Sequence, residues 1–185
     1  MKNPMILSLD TLRSAIEDIG GLPELARIGF IYDVEHWRKG KLLQKEATHN
    51  LMPTEGLNYL LDTSVRGGAQ LSSWYMGIFE GNYTPLAADT AATFPASATE
   101  STAYSESVRQ TYTTVAASGG VLTNAAATAT FTMNATKTIY GGFISSASAK
   151  SATTGKLLSA AKFSTSKAVE STDQLIITAT ITLTS

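Results

Sequence analysis

The most constraining stretch of this 185-residue chain is Asp173 to Leu183, which reads Asp-Gln-Leu-Ile-Ile-Thr-Ala-Thr-Ile-Thr-Leu. Leu175, Ile177, Ala179, Ile181 and Leu183 fall on one parity, and Ile176, Thr178, Thr180 and Thr182 on the other. Strict period-2 alternation rich in β-branched residues is the pattern of a strand with one buried and one wet face. At about 3.3 Å per residue it extends ~30 Å, longer than a usual strand. A strand of that length leaves rows of unpaired backbone groups unless it lies in a sheet. The rest of the chain must build that sheet and the layer that covers it.

The pattern before it is mostly of the same kind. Ile28, Phe30, Tyr32 and Val34 share one face of a strand, with Asp33, Glu35 and Trp37 on the other. Arg38-Lys39-Gly40-Lys41 reads as a charged turn, and Leu42 to Thr48 returns as the second arm of a hairpin. Thr54 to Asp62 fits a short helix after Pro53. Ser72 to Glu80 holds Trp74, Tyr75 and Phe79 and reads as a central strand whose aromatics pack inward. Asn82 to Thr102, with Pro85 and Pro95 and little periodicity, reads as a long surface loop. Strands are expected around Val108 to Thr114, Ala125 to Met133, Thr138 to Ser148 and Leu157 to Ser164, with a bulge or close backbone contact at Gly141-Gly142. About eight strands with almost no helix indicate an all-β, two-sheet sandwich, jelly-roll-like in its wiring.

Residues 1 to 25 differ from the β domain, 26 to 185. Ser8 and Asp10 are candidate N-caps, Leu12, Ile16 and Ile19 recur at helical spacing, and Gly20-Gly21 with Pro23 end the run. One short helix of this kind is marginal alone, so the arm is expected to dock, on its own domain or on a partner.

Composition narrows the function classes. Charged residues are 16% of the chain, and Ala, Ser and Thr make up more than half of it after Tyr83. Such a composition suits close-packed sheets and protein-covered surfaces. The net charge of −1 offers no basic patch for phosphates, so no nucleic-acid partner is expected. There is no cysteine and hence no disulfide or thiolate metal site. No apolar run is long enough to span a membrane, and the N-terminus has no secretory pattern, so use without secretion is expected.

No residue set spells out a reaction. Asp33, Glu35 and His36 do not converge, because along a strand His36 points away from the two carboxylates. Thr153-Thr154-Gly155-Lys156 lacks the first glycine and the final hydroxyl of a phosphate loop. No catalytic, metal or cofactor residue is assigned. Glu100 and Arg109 are the informative charged pair, read as a structural salt bridge that pins the long loop to the strand after it rather than as an interface contact.

Several segments, in order, resemble a family of tailed-bacteriophage virion proteins. They are Asn50-Leu51-Met52-Pro53-Thr54-Glu55-Gly56-Leu57-Asn58-Tyr59-Leu60-Leu61, Trp74 to Phe79, Ala88-Asp89-Thr90 with Glu100, Tyr104 and Arg109, and Ile139-Tyr140-Gly141-Gly142-Phe143 with Gly155 to Ala160. The terminal strand closes the series, and the resemblance covers residues 27 to 185. It implies a non-enzymatic structural protein of the virion, made in the bacterial host cytoplasm. Within that class it is similar to capsid cement or decoration proteins, which clamp neighbouring major capsid protein subunits, and to tail, neck and collar-fibre modules. The lack of a repetitive shaft or heptads disfavours a fibre. One domain with an arm carrying Leu12, Ile16 and Ile19 suits cement on the outer capsid surface. The resemblance also implies a homotrimer at local three-fold positions. The Ala- and Thr-rich strand from Ala125, and a long edge expected of the C-terminal strand, point the same way. A carbohydrate-binding module using Trp37, Trp74 and nearby tyrosines is the alternative from another class.

Overall fold

The computed structural model describes residues 27–184. The expected N-terminal arm, with Leu12, Ile16 and Ile19, and the domain boundary after residue 25 lie outside these residues. What is described is an all-β sandwich of two antiparallel sheets.

The first sheet is built on β1 (Arg27–Arg38) and β9 (Gln174–Thr184), paired antiparallel from Arg27↔Thr184 to Trp37↔Gln174. On its other side β1 carries β2 (Lys41–His49), joined by a two-residue turn. Lys39 and Gly40 both have positive φ, 49° and 73°, the twist that lets adjoining strands continue without splaying. The far side of β9 carries two short strands, β5 (Val121–Thr123) and β6 (Ala129–Thr132). The C-terminal strand is therefore interior and not the exposed edge expected from the sequence. Alternation fixes which face is buried but is silent on whether both edges are paired.

The second sheet has the order β4-β3-β7-β8, with β3 Tyr75–Phe79, β4 Gln110–Thr111, β7 Lys137–Ser145 and β8 Leu157–Val169. A register shift between Ile139 and Gly141 marks the glycine pair in β7. Between the sheets lies the main core, including Phe30, Tyr32, Val34, Ile78, Phe131, Ile139, Ile177 and Ala179. The alternation in β9 holds through Ala179. Toward its end Ile181 is only partly buried and Leu183 is 54% exposed.

The sequence misassigns the segment after Asn82. It is not a surface loop but a third layer over the outer face of the second sheet. Ala91, Phe94 and Ala98, with the short helix α2 (Phe94–Ser97), pack on Phe79, Phe143, Leu157 and Ala160. Both faces of β3 and β7 are thereby buried. Gly77 and Gly141 make this possible, since a Cβ at Gly77 would strike the Phe143 ring and one at Gly141 the Phe79 ring and the Ala161 carbonyl. A covering coil has no period, so periodicity cannot reveal it.

Three strand expectations shrink for a related reason. The strand from Val108 reduces to two residues, with Val108 exposed and Arg109 buried. The strand from Ala125 begins only at Ala129, and the strand around Trp74 begins at Tyr75. Conversely β8 is longer than expected, and nine strands stand among the described residues. A helix, α1 (Thr54–Ser64), crosses one end of the sandwich. Gly56 lets it lie against the Leu157 and Leu158 carbonyls, where a Cβ would collide with backbone.

Candidate functional site

The end of the sandwich under α1 holds a cleft of about 460 Å³. Three segments wall it. On α1, Tyr59, Leu60 and Thr63 face the cleft, and Thr63 Oγ1 donates back to the Tyr59 carbonyl at 2.9 Å. The chain leaves the helix through Gly67, at φ 78°, and returns along Gln70 to Trp74. That return is fixed by the Leu71 N–H, which donates to Tyr59 Oη at 2.8 Å, and by the Tyr59 and Trp74 rings, edge to face at 5.2 Å. The third wall is Thr111 to Thr114, held by a bond from the Tyr112 N–H to the Trp74 carbonyl at 2.8 Å. Tyr112 reaches across the core to give its hydroxyl proton to the Ala179 carbonyl at 2.9 Å. Leu122, Leu158 and Ile181 form the apolar floor. Among the described residues, no charged side chain lines the cleft.

The three aromatics expected to form one core cluster are divided. Phe79 is fully buried in the layer with Phe94, their rings 5.6 Å apart. Trp74 is part-exposed at the margin of the main core, and Tyr75 is part-exposed at the start of β3. Tyr75 and Phe79 share a parity along β3, and what divides them is the covering layer, which packs on Phe79 and leaves Tyr75 part-exposed. Trp37 is on the opposite end of the molecule, in register with Gln174, its indole N–H donating to Glu35 Oε2 at 2.9 Å. The two tryptophans therefore cannot share a ligand.

Glu100 and Arg109 meet in a bidentate pair, Nη2 to Oε2 at 2.6 Å and Nε to Oε1 at 2.9 Å, with both side chains 1% exposed. Their remaining valences are used within the protein. Arg109 donates to the Ala147 and Ala152 carbonyls, Glu100 Oε2 accepts the Ser151 N–H, and the guanidinium lies 5.0 Å over the Phe143 ring. The pair ties the covering layer, the segment before β4 and the β7–β8 connection together, and has nothing left to offer a ligand.

A second buried charged group was not legible in the sequence. Asp173, in the turn before β9, accepts from His36 Nε2 at 2.7 Å, Arg38 Nη2 at 2.8 Å and the Glu170 N–H at 2.8 Å. Burial alone would raise its carboxyl pKa. The hydrogen bonds from Arg38, the Glu170 N–H and His36, with the Arg38 charge, outweigh that and hold it well below the usual carboxylate range. His36 and Asp173 are 137 residues apart, so nothing local in the sequence joins them. Glu55 works similarly at the start of α1, where Oε2 accepts the N–H groups of Ala91 and Leu157, each at 2.8 Å.

Among the described residues no three His, Asp or Glu side chains come together to hold a metal. No helix among them is long and apolar enough to cross a membrane. The outer face of α1 presents Leu57, Leu61 and Val65, one turn apart, the last 81% exposed. The chain matches no protein-family model, no curated protein and no solved structure.

Proposed function

We propose that this chain is a non-enzymatic structural protein of a tailed-phage virion, and within that class a capsid cement protein that binds the outer capsid surface through the major capsid protein. The observation that carries the reading is how the segments behind the resemblance fit together. Leu51 bridges to Ala160, the Thr54 N–H bonds to the Ala87 carbonyl, and Glu55 receives Ala91 and Leu157. Glu100 and Arg109 close the same body from the other side, onto Ala147 and Ala152. Pieces far apart in sequence thus form one interlocked unit, which supports reading their order as a single module rather than as chance similarities. The buried charged groups are consumed by this interlocking, which favours a structural role over a catalytic one. The reading needs the two-sheet architecture and not jelly-roll wiring.

The Leu57, Leu61 and Val65 stripe, exposed among the described residues, favours a protein partner, because a row of apolar side chains on a helix gains most when protein covers it. A homotrimer remains part of the proposal, resting on the resemblance and on this stripe. The test is binding to particles of the parent phage stripped of this protein, read by co-sedimentation and by immunogold labelling. Gold over the capsid with saturable binding supports cement. Gold confined to the tail or neck moves the protein to the tail-structure reading, and no virion label rejects the class.

A further inference from the structure

We propose that the cleft under α1 is a binding site for a neutral saccharide, through Trp74, Tyr59 and the hydroxyl and amide groups around them. The first argument is charge. Sixteen of the described residues line the cleft and none of them is ionisable at neutral pH, on a protein with acidic and basic side chains elsewhere. An ionic ligand would leave water for a site unable to pair its charge, which is costly. A neutral ligand meets no such penalty.

The second argument is the mixture of surfaces. A sugar ring has an apolar face of C–H groups and a rim of hydroxyls, and it is held best by an aromatic ring beside short neutral hydrogen-bonding groups. The cleft supplies both: the rings of Tyr59 and Trp74, and the side chains of Gln70, Ser72, Ser73 and Thr113. Its volume of about 460 Å³ lies within the range of small-molecule sites.

The third argument is which polar groups remain free. The Trp74 indole N–H has no acceptor among the described residues. Tyr59 Oη accepts the Leu71 N–H, which fixes the ring and leaves its own proton to donate outward. Tyr112 is different, since its hydroxyl proton is committed to Ala179. Trp74 and Tyr59 are also braced against each other, so the aromatic surface is rigid before a ligand arrives. A purely apolar occupant would leave the hydroxyl-rich wall unsatisfied. The site is independent of where on a virion the protein sits, and the capsid-binding experiment says nothing for or against it.

The test uses the full chain on an array of neutral oligosaccharides (glucans, galactans, mannans and N-acetylated chains), with sialylated and sulfated chains as the anionic arm. Each neutral hit is then titrated into a Trp37→Phe variant, in which Trp74 is the remaining tryptophan and its emission reports the cleft directly. The expected result is a saturable change in Trp74 emission and affinity about tenfold weaker in Trp74→Ala, since aromatic anchors dominate such contacts. Trp74 also packs on the core, so Gln70→Ala, a change at an exposed position, is measured beside it and is expected to weaken binding with an unaltered melting curve. No neutral saccharide bound at millimolar concentration, binding of anionic chains alone, or binding indifferent to both substitutions would each overturn the proposal.

Discussion

Arg109 holds three segments of this fold together. It is 1% exposed, pairs with Glu100 through two parallel bonds and closes two carbonyls of the β7–β8 connection. Removing one partner of such a pair leaves the other charge buried and alone. Arg109→Ala is expected to cost about 3–5 kcal/mol, and Arg109→Lys to recover little, because an ammonium cannot match the carboxylate in a bidentate fork. Urea denaturation followed by circular dichroism measures both, and a loss below 1 kcal/mol would show that the pair is not a structural anchor. Asp173 gives a prediction with a pH sign. Its pKa is depressed in the folded state, so the unfolded chain takes up a proton first as pH falls. The stabilisation is present above about pH 4, the ordinary carboxylate value, and is lost progressively below it. Asp173→Asn should be less stable at pH 7 than the parent, with the difference narrowing as pH drops from 4 toward 2. A constant difference across that range would show that the charge is not what matters.

At the scale of elements, β9 sorts its own side chains. Ile177 is fully buried beside Tyr32 and Gly142, while Ile181 is only partly covered where it lines the cleft. Ile177→Asp places an unpaired carboxylate in the core and should give an unfolded or insoluble product, whereas Ile181→Asp should stay soluble with a lowered melting temperature. Equal behaviour of the two variants would contradict the burial gradient along the strand. β1 and β9 were legible in the sequence because one wet face and one dry face write themselves into every second residue, whereas β2, mostly exposed on both faces, was legible as a weaker strand returning from the charged turn. β4 and β6 were legible only in part. Their alternation of Thr with Ala or Tyr runs past the two to four residues that pair, since nothing in a side chain marks where a partner strand stops. The covering layer at Ala91, Phe94 and Ala98 was missed because irregular backbone has no period. The cleft was invisible for another reason: it is assembled from six separate stretches, and Trp74 alternates like a core residue while standing at the margin.

For the whole molecule, the tyrosines set an alkaline limit. Burial pushes the hydroxyls of Tyr32, Tyr104 and Tyr112 far above their usual value, and burial with the neighbouring Asp89 pushes Tyr83 up to about 12. In the unfolded chain these groups ionise near pH 10, before the folded ones do. Their contribution to stability is therefore full below pH 10 and falls as pH rises beyond it. The midpoint of urea unfolding should drop steeply between pH 9.5 and 11.5, and a flat profile would show the tyrosines to be solvated. Oligomeric state belongs to the same scale. Three 19.6 kDa chains give about 59 kDa, the mass expected from light scattering of the proposed trimer. The interior position of β9 removes the open edge as a reason for association and leaves the α1 stripe as the surface to disrupt: Leu61→Glu should shift the mass to that of one chain. A trimeric Leu61→Glu variant would place the contact elsewhere.

The pairing of β1 with β9 also governs when the protein can exist. Arg27 meets Thr184, so the first described strand has for its permanent neighbour the last described one, with every other strand made between them. Closing so large a loop is slow, and the gain arrives only after the loop has been closed. A ribosome paused anywhere before Gln174 holds a chain in which β1 has its hairpin partner on one edge and an unpaired row of backbone groups on the other. Such a chain cannot be half right, because the strand that seats β1, β5 and β6 together is the one still missing. Chains that stop before β9 are therefore expected to be cleaved faster by added protease than the finished chain, because their first sheet cannot close.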